Sequence, residues 1–242
     1  MRILLAAPVY AGKNYTMMEW ISNIEVISEH YGLDVALCDN TSDNGEYYRK
    51  LKTICPKDWT IFRYEPLQGE PSQSTITKSQ NILREHFLTA GYYDKFLFIE
   101  ADVYPPLNFF DRMLIEADKV KADVFGSLYF IDHADNVKPM LQSMYLARDK
   151  DGKLVDVMIF TYSMYEAFCM NIFKSEPQPI YSCGFGCTMI DKKVLQKLEF
   201  RDMGNTDAHS DSFFYADCAR NGFSVYFDSK ILCNHDNFDW KI

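Results

Sequence analysis

Apolar residues in the first half of the chain follow two different periods. Four continuous apolar runs predict strands, the first of them buried on both faces, at positions 2–7, 34–38, 60–64 and 95–99. Apolar residues at three- and four-residue spacing predict a helix over 16–30, which starts with a Thr16-x-x-Glu19 capping box and stops at Gly32. A second helix ends at Gly91. This alternation predicts an α/β protein with a mostly parallel central sheet and helices on both faces.

The second half of the chain has a less regular pattern. Three further strands are predicted at 124–130, 140–147 and 154–160, and a half-buried strand at 223–227. Three further helices are predicted to begin at the capping residues Asn108, Asp191 and Ser210, the last of them ending at Gly222. Because there is no internal repeat, low-complexity segment or Gly/Ser linker, we expect residues 1–242 to form a single domain.

Composition and charge exclude several classes of protein. Of the 242 residues, 48% are hydrophobic and 24% charged, which is typical of a globular protein and excludes a disordered one. The net charge of −9 argues against nucleic acid or an anionic membrane surface as a partner. An anionic ligand would therefore need a bridging cation. The odd number of cysteines, seven, indicates reduced thiols. No apolar run approaches the roughly 18 residues of a membrane span, so we expect a cytoplasmic protein without a transmembrane segment.

Two carboxylates follow the fourth predicted strand. Glu100 and Asp102 are two residues apart, which places both side chains on one side of an extended chain, and Pro105-Pro106 follows as a rigid turn. Carboxylates of this kind suit Mg²⁺ or Mn²⁺. However, 34 acidic residues in this chain would produce about five acid-x-acid triplets by chance. The local sequence leaves both interpretations open.

The turns after the first two strands carry no phosphate-binding fingerprint. Pro8, Val9 and Tyr10 lead into the first helix without the glycines of a dinucleotide-binding or P-loop motif. Asp39 ends the second strand, where a carboxylate can accept a hydrogen bond from a ribose hydroxyl or a base N–H. An Asx turn explains Asp39 equally well.

Three later segments are candidates for a site. Gly184 and Gly186 interrupt an apolar strand, which suggests close approach of the backbone to a ligand. Asp211 stands in the first turn of a predicted helix, where the dipole alone would explain an acid. His235 follows the last predicted strand.

A zinc site is an alternative for the cysteines of this region. Cys183, Cys187, Cys218 and Cys233 could combine with His235 as ligands. There is no paired C-x₂-C, and two of these cysteines lie in apolar periodic runs, so buried thiols are the better explanation.

Taken together, these segments resemble a glycosyltransferase of the GT-A fold, near the large family 2 group. The resemblance implies a Rossmann-like nucleotide-sugar-binding half, about 1–104, and an acceptor-binding half, about 105–242. It implies donor-binding residues Pro8, Val9, Tyr10, Asp39, Glu100, Ala101 and Asp102, to which we add Lys78 and Asn81 as candidates for the diphosphate. It implies acceptor-side residues Gly184, Phe185 and Gly186, metal ligands Asp102, His235 and Glu100, and Asp211 as the catalytic residue. Glu100 departs from the family pattern in replacing an Asp, and Ser210 in replacing a Glu.

The implied activity is metal-dependent transfer of a sugar from a nucleotide-diphosphate sugar to an acceptor hydroxyl, with Mn²⁺ or Mg²⁺ as cofactor and inversion at the anomeric carbon. In this reading Ser210 caps its helix and leaves the Asp211 carboxylate free to act as the base. We expect the helix dipole and a nearby cation to lower the pKa of Asp211. Two alternatives remain: a nucleotidyltransferase that forms sugar nucleotides, and an inactive nucleotide- or carbohydrate-binding module.

Overall fold

The computed structural model describes residues 1–133, 136–148, 150, 154–169, 171, 173–202 and 209–236. The strands are β1 Ile3–Val9, β2 Asp34–Asp39, β3 Thr60–Arg63, β4 Lys95–Ile99, β5 Val103–Tyr104, β6 Val124–Leu128, β7 Phe130–His133, β8 Asn136–Pro139, β9 Gln142–Arg148, β10 Leu154–Thr161, β11 Gln178–Pro179, β12 Cys187–Asp191, β13 Val225–Leu232 and β14 Asn234–His235. The α-helices are α1 Met17–Tyr31, α2 Glu46–Ile54, α3 Ser72–Ala90, α4 Phe109–Val120, α5 Met164–Cys169, α6 Lys192–Lys197 and α7 Ser210–Arg220. A 3₁₀ turn covers Ala11–Lys13.

Eight strands form the central sheet in the order β11-β13-β6-β12-β4-β1-β2-β3. Strands β3, β2, β1 and β4 are parallel neighbours, and β13 is parallel to β6. Strand β12 lies antiparallel between β4 and β6, and β11 is antiparallel at the edge. Six of the eight strands therefore point the same way. The prediction of a mostly parallel sheet is confirmed.

The sheet buries an apolar core on each face. Side chains along β1 alternate between the faces, so Leu5 packs with helices α1, α2 and α4, whereas Leu4 packs with α3, α6 and α7. Trp20 of α1 belongs to the first core and Phe87 of α3 to the second. The continuous apolar run of β1 is the direct consequence of burial on both sides.

Helix α3 begins much earlier than its apolar periodicity indicates. Its first two turns contain buried Thr75, Thr77 and Ser79, whose hydroxyls donate to the backbone carbonyl oxygens four residues before them, at 2.8 to 3.1 Å. Because each hydroxyl donates a hydrogen bond within the helix, these polar residues are buried without an unpaired donor. A hydrophobic pattern alone does not reveal such a segment, and helix α2 was not predicted at all.

Several of the predicted helix caps do not form. The hydroxyl of Thr16 donates to the carbonyl oxygen of Ala101 at 2.7 Å instead of capping α1. Asn108 and Asp191 occupy cap positions without a side-chain capping bond, and Asp191 forms an ion pair with Lys95. The predicted strand 124–130 is divided into β6 and β7, while 140–147 and 154–160 pair as β9 and β10.

Candidate active site at the carboxyl ends of the parallel strands

A cavity of about 520 Å³ opens beyond the carboxyl ends of β1, β2, β3, β4 and β6. In parallel α/β sheets this edge is where ligands bind. The residues that line the cavity are Tyr10, Lys13, Asn40, Ser42, Pro66, Glu70, Ser72, Thr75, Ile76, Gln80, Glu100, Tyr129, Ile131, Met140, Phe185, His209, Ser210, Asp211 and His235. The structure therefore brings together five of the predicted site residues, namely Tyr10, Glu100, Phe185, Asp211 and His235.

Strand pairing brings the last described strand of the chain against the segment that carries Asp102. Strand β14 pairs antiparallel with β5, with His235 opposite Val103, and the backbone N–H of Asp236 donates to the carbonyl oxygen of Asp102 at 2.8 Å. On the other side, the Thr16 hydroxyl holds the carbonyl oxygen of Ala101. The Asp102 carboxylate is thus fixed by backbone contacts on both flanks.

Two basic side chains contact the fully buried Asp102 carboxylate. The Lys13 ammonium lies 2.8 Å from Oδ1, and Nε2 of His235 lies 3.5 Å from Oδ2. Although burial alone would raise the pKa of Asp102, the hydrogen bond to His235 and the charge of Lys13 lower it overall. Oδ1 is thus paired with the Lys13 ammonium, and Oδ2 faces the His235 ring. A ligand that binds Asp102 has to compete with these two contacts.

The second nitrogen of the His235 ring is fixed by the backbone. Nδ1 lies 2.9 Å from the carbonyl oxygen of Phe130, which places a proton on Nδ1 and directs Nε2 toward Asp102. Burial alone would lower the pKa of His235, but the hydrogen bond to Asp102 and its negative charge raise it. An imidazole oriented through its other nitrogen is the usual arrangement of a histidine metal ligand.

Glu100 and Asp211 are two acids in the same cavity. Burial raises the pKa of Glu100; Lys13 opposes this rise, Asp102 adds to it, His235 opposes it, and Asp211 adds to it. Burial also raises the pKa of Asp211, whose Oδ1 accepts the backbone N–H of Ser212 at 2.6 Å. The pKa of Asp211 is thus raised and not lowered, because desolvation outweighs the charge of His209 and the hydrogen bonds from Ser212.

Ser210 does not cap helix α7. His209 occupies the cap position, and Ser210 is the first helical residue, with its hydroxyl donating to Oε1 of Gln80 at 2.6 Å. This bond ties the start of α7 to α3. Asp211 is 8% exposed and lines the cavity, so its carboxylate is held at the cavity wall by two helices that pack together.

Asp39 lies fully buried at the end of β2, behind the cavity-lining Asn40. Its Oδ1 accepts hydrogen bonds from the backbone N–H and the hydroxyl of Thr41, at 3.0 and 2.7 Å. Its Oδ2 is buried and has no hydrogen-bond partner within the described part of the chain. Burial raises the pKa of Asp39. The structure thus contains both the predicted Asx-type turn and an unused acceptor oxygen.

Five further donor-binding residues predicted from the sequence lie away from the cavity wall. Lys78 contacts Glu70 at 2.6 Å and the Tyr64 hydroxyl at 3.0 Å. The side-chain amide of Asn81 bonds both backbone groups of Phe200, at 2.7 and 3.1 Å, and so joins α3 to the segment after α6. Val9 and Ala101 belong to the first core. Pro8, paired with β2 in the sheet, is half-buried and does not line the cavity either.

The two glycines of the 181–187 segment make room for the Tyr129 side chain. A Cβ at Gly184 would lie 2.1 Å from the Tyr129 hydroxyl oxygen, and a Cβ at Gly186 would lie 2.6 Å from its ring. Gly184 also has a φ of +65°. Between them, Phe185 lines the cavity and packs on Phe98 and Tyr215. The expected close approach to the backbone is found in the structure. The group that approaches is the side chain of Tyr129, which directly follows β6.

Sequence reasoning missed Lys13, Tyr129, Gln80 and His209. Lys13 had one usable signal, since it follows Tyr10 in the turn after the first strand. Gln80 and Tyr129 lie in a helix and after a strand with nothing local to mark them, and only the packing brings them to the cavity.

The metal-binding potential of the site is limited to few side chains. Within the described ranges no group of three or more His, Cys, Asp or Glu side chains is arranged to hold a metal ion. All seven cysteines are free thiols, and six of them are buried, which agrees with buried thiols better than with zinc. In the same part of the chain, no helix combines the length and apolar character needed to cross a membrane.

Comparison with known proteins yields similarity in structure alone. No protein-family model and no curated protein sequence matches the chain. GalNAc-T7, crystallised with UDP, GalNAc and Mn²⁺, aligns over 97% of this chain and 43% of its own, with a TM-score of 0.60 and 12% identity. S. aureus TarS aligns over 95% of this chain and 37% of its own, with a TM-score of 0.55 and 13% identity. TarS 1–349 in complex with UDP-GlcNAc aligns over 95% of this chain and 58% of its own, with a TM-score of 0.53 and 12% identity.

The chain thus spans less than two thirds of each of these proteins. At such identities the likeness concerns the fold. GalNAc-T7 is a GT-A glycosyltransferase and TarS a family 2 glycosyltransferase, and the mixed α/β fold of this chain matches theirs. The chain has the GT-A glycosyltransferase fold.

Proposed function

We propose that this chain transfers a sugar from a nucleoside-diphosphate sugar to an acceptor hydroxyl, with inversion at the anomeric carbon. The observation that carries the proposal is the cavity at the carboxyl edge of a GT-A sheet, in which Asp211 meets the cluster of Glu100, Asp102, Lys13 and His235. The half of the chain up to about residue 104 binds the donor, and the remainder binds the acceptor.

The nucleoside of the donor is held by the turns after β1 and β2. The Oδ2 of Asp39, for which the described residues provide no donor, accepts a hydrogen bond from a ribose hydroxyl or a base N–H, since a buried acceptor without a partner is costly. The Tyr10 ring lines the cavity and is 42% exposed, which leaves a face for stacking on a base. Gly12 permits this position, because a Cβ there would lie 2.2 Å from the Tyr10 ring.

The residues around Asp102 fit a divalent cation with few protein ligands. Asp102 supplies two carboxylate oxygens, which lie 2.8 Å from Lys13 and 3.5 Å from His235, and His235 supplies a nitrogen on a ring oriented by Phe130. These donors suit Mn²⁺ or Mg²⁺, and the remaining ligands of such an ion would have to come from the donor or from water. Glu100 contributes to the negative potential of the same site. When bound, such an ion acts as a Lewis acid that stabilises the charge of the departing diphosphate.

Asp211 is the general base in this proposal. Its carboxylate accepts one backbone hydrogen bond from Ser212 and lines the cavity, where an acceptor hydroxyl can approach it. Because burial raises its pKa, Asp211 is a stronger base than an exposed aspartate, which favours removal of the hydroxyl proton as the new glycosidic bond forms. Packing of α7 on α3 through Ser210 and Gln80 fixes the position of the base.

The test is release of nucleoside diphosphate from a panel of sugar nucleotides, beginning with UDP-sugars, in Mn²⁺, Mg²⁺ or EDTA. We expect metal-dependent UDP or other nucleoside diphosphate release that an acceptor accelerates. Pyrophosphate release from a nucleoside triphosphate would identify a nucleotidyltransferase instead. Nucleotide binding without turnover on any acceptor would identify a binding module.

A further inference from the structure

A lysine already neutralises the carboxylate on which the proposed ion would bind. The Lys13 ammonium lies 2.8 Å from Oδ1 of Asp102, which is fully buried, and the Lys13 side chain is 15% exposed. Lys13 also lines the cavity. Its positive charge therefore stands between Asp102 and the space in which a diphosphate would lie.

The backbone that carries Lys13 is fixed, whereas its side chain can change partner. The 3₁₀ turn Ala11–Lys13 is held by a bond from the Ala11 N–H to the Thr41 hydroxyl at 2.9 Å. Two backbone bonds add to it, from the Lys13 N–H to the Tyr10 carbonyl oxygen at 3.0 Å and from the Thr16 N–H to the Lys13 carbonyl oxygen at 3.2 Å. A lysine side chain has a flexible four-carbon stem and a compact charge. The ammonium can leave Asp102 without any change in the turn.

We propose that Lys13 is an exchangeable counter-ion: it pairs with Asp102 in the donor-free protein and moves to the donor diphosphate when a divalent ion takes its place on Asp102. The proposal rests on the proposed function. An ion that approaches Asp102 alone meets the positive charge of Lys13 at short range in a poorly screened environment, which opposes binding. A nucleoside diphosphate removes this repulsion, because its phosphate oxygens give Lys13 a new partner.

The consequence is that the metal and the nucleotide bind synergistically. Each makes room for the other, and by linkage the factor by which UDP tightens metal binding equals the factor by which the metal tightens UDP binding. Without Lys13, Asp102 would lack its counter-ion and would take up the divalent ion directly. A lysine that served only to stabilise the fold would not affect this coupling.

The experiment is Mn²⁺ binding measured from the electron paramagnetic resonance signal of free Mn²⁺, with and without UDP, in the wild type and in Lys13→Met. In the wild type we expect UDP to tighten Mn²⁺ binding by about tenfold or more. In Lys13→Met we expect Mn²⁺ to bind tighter than in the wild type when UDP is absent, and the gain from UDP to shrink. Mn²⁺ alone should raise the melting temperature of this variant more than that of the wild type.

Two further variants control for charge and for folding. Lys95→Met removes the same charge from another partly buried ion pair, with Asp191, and should bind Mn²⁺ as the wild type does. Lys13→Arg keeps the counter-ion and should keep weak Mn²⁺ binding without UDP, which tests the proposal even if Lys13→Met does not fold.

The outcomes separate this proposal from the proposed function. If UDP tightens Mn²⁺ binding equally in the wild type and in Lys13→Met, the counter-ion role of Lys13 is refuted while the metal site stands. If the wild type does not bind Mn²⁺ even with UDP, the metal dependence of the proposed function is refuted, and the role of Lys13 with it.

Discussion

Replacement of Asp211 by Asn is the most direct test of the catalytic assignment. The amide oxygen of Asn can still accept the Ser212 N–H that Asp211 Oδ1 accepts at 2.6 Å, so the local structure is kept. The amide nitrogen cannot accept a proton. For a lost general base we expect kcat to fall by about 10²- to 10⁴-fold, which corresponds to about 3 to 5 kcal/mol of the activation barrier. The Kd for UDP should be nearly unchanged.

The stability of Asp211→Asn gives an independent readout. Because burial raises the pKa of Asp211 in the folded protein, its ionisation destabilises the fold as the pH rises above its ordinary value of 3.8. The variant should therefore melt at the same or a higher temperature than the wild type at pH 7. The difference should shrink as the pH falls toward 3.8.

Asp217→Asn is the matched control on the same helix. Although burial would raise the pKa of Asp217, hydrogen bonds from Arg201 and Arg220 lower it. We expect this variant to lose about 1 kcal/mol of stability, as for a partly exposed ion pair, with kcat near that of the wild type. If Asp211→Asn retained kcat and melted at a lower temperature, Asp211 would be a helix-terminal charge and the base assignment would be refuted.

Three further predictions test the remaining parts of the site. His235→Ala should weaken UDP binding more in Mn²⁺ than in EDTA, measured by calorimetry, whereas equal losses would indicate a purely structural histidine. Gly184→Ala and Gly69→Ala both place a side chain at positive φ, but only the Gly184 Cβ would collide with Tyr129. In chemical denaturation we expect Gly184→Ala to lose about 1 to 3 kcal/mol more unfolding free energy than Gly69→Ala. Asn81→Ala should lose about 1 to 3 kcal/mol of stability, because two backbone groups of Phe200 lose their partner, and its affinity for UDP should not change. Weaker UDP binding by this variant would show that Asn81 contributes to donor binding.

The local sequence pattern was sufficient to predict features that depend on a single strand or helix. The apolar runs placed Tyr10, Asp39 and Glu100 just at or after the ends of parallel strands, and the carboxyl ends of such strands meet at one edge of the sheet. The GT-A resemblance rested on these positions together with Gly184, Asp211 and His235 in order, and the structural similarity to GalNAc-T7 and TarS confirms the fold. Lys78 and Asn81 lie away from the cavity wall because residues on one helix can face either the cavity or a neighbouring element, and packing decides which.

By itself, the sequence determined the four parallel strands of the first half, the helix after the first of them, and the edge of the sheet at which polar residues gather, because these follow from periodicities within a few residues. Only the tertiary structure decided which charges meet there. The contacts of Asp102 with Lys13 and His235 join three distant segments of the chain, and the Tyr129 ring explains two glycines that lie far from it in sequence. The direction of the Asp211 pKa was likewise a tertiary property, since it depends on burial by the whole fold, and burial outweighed the local helix terminus.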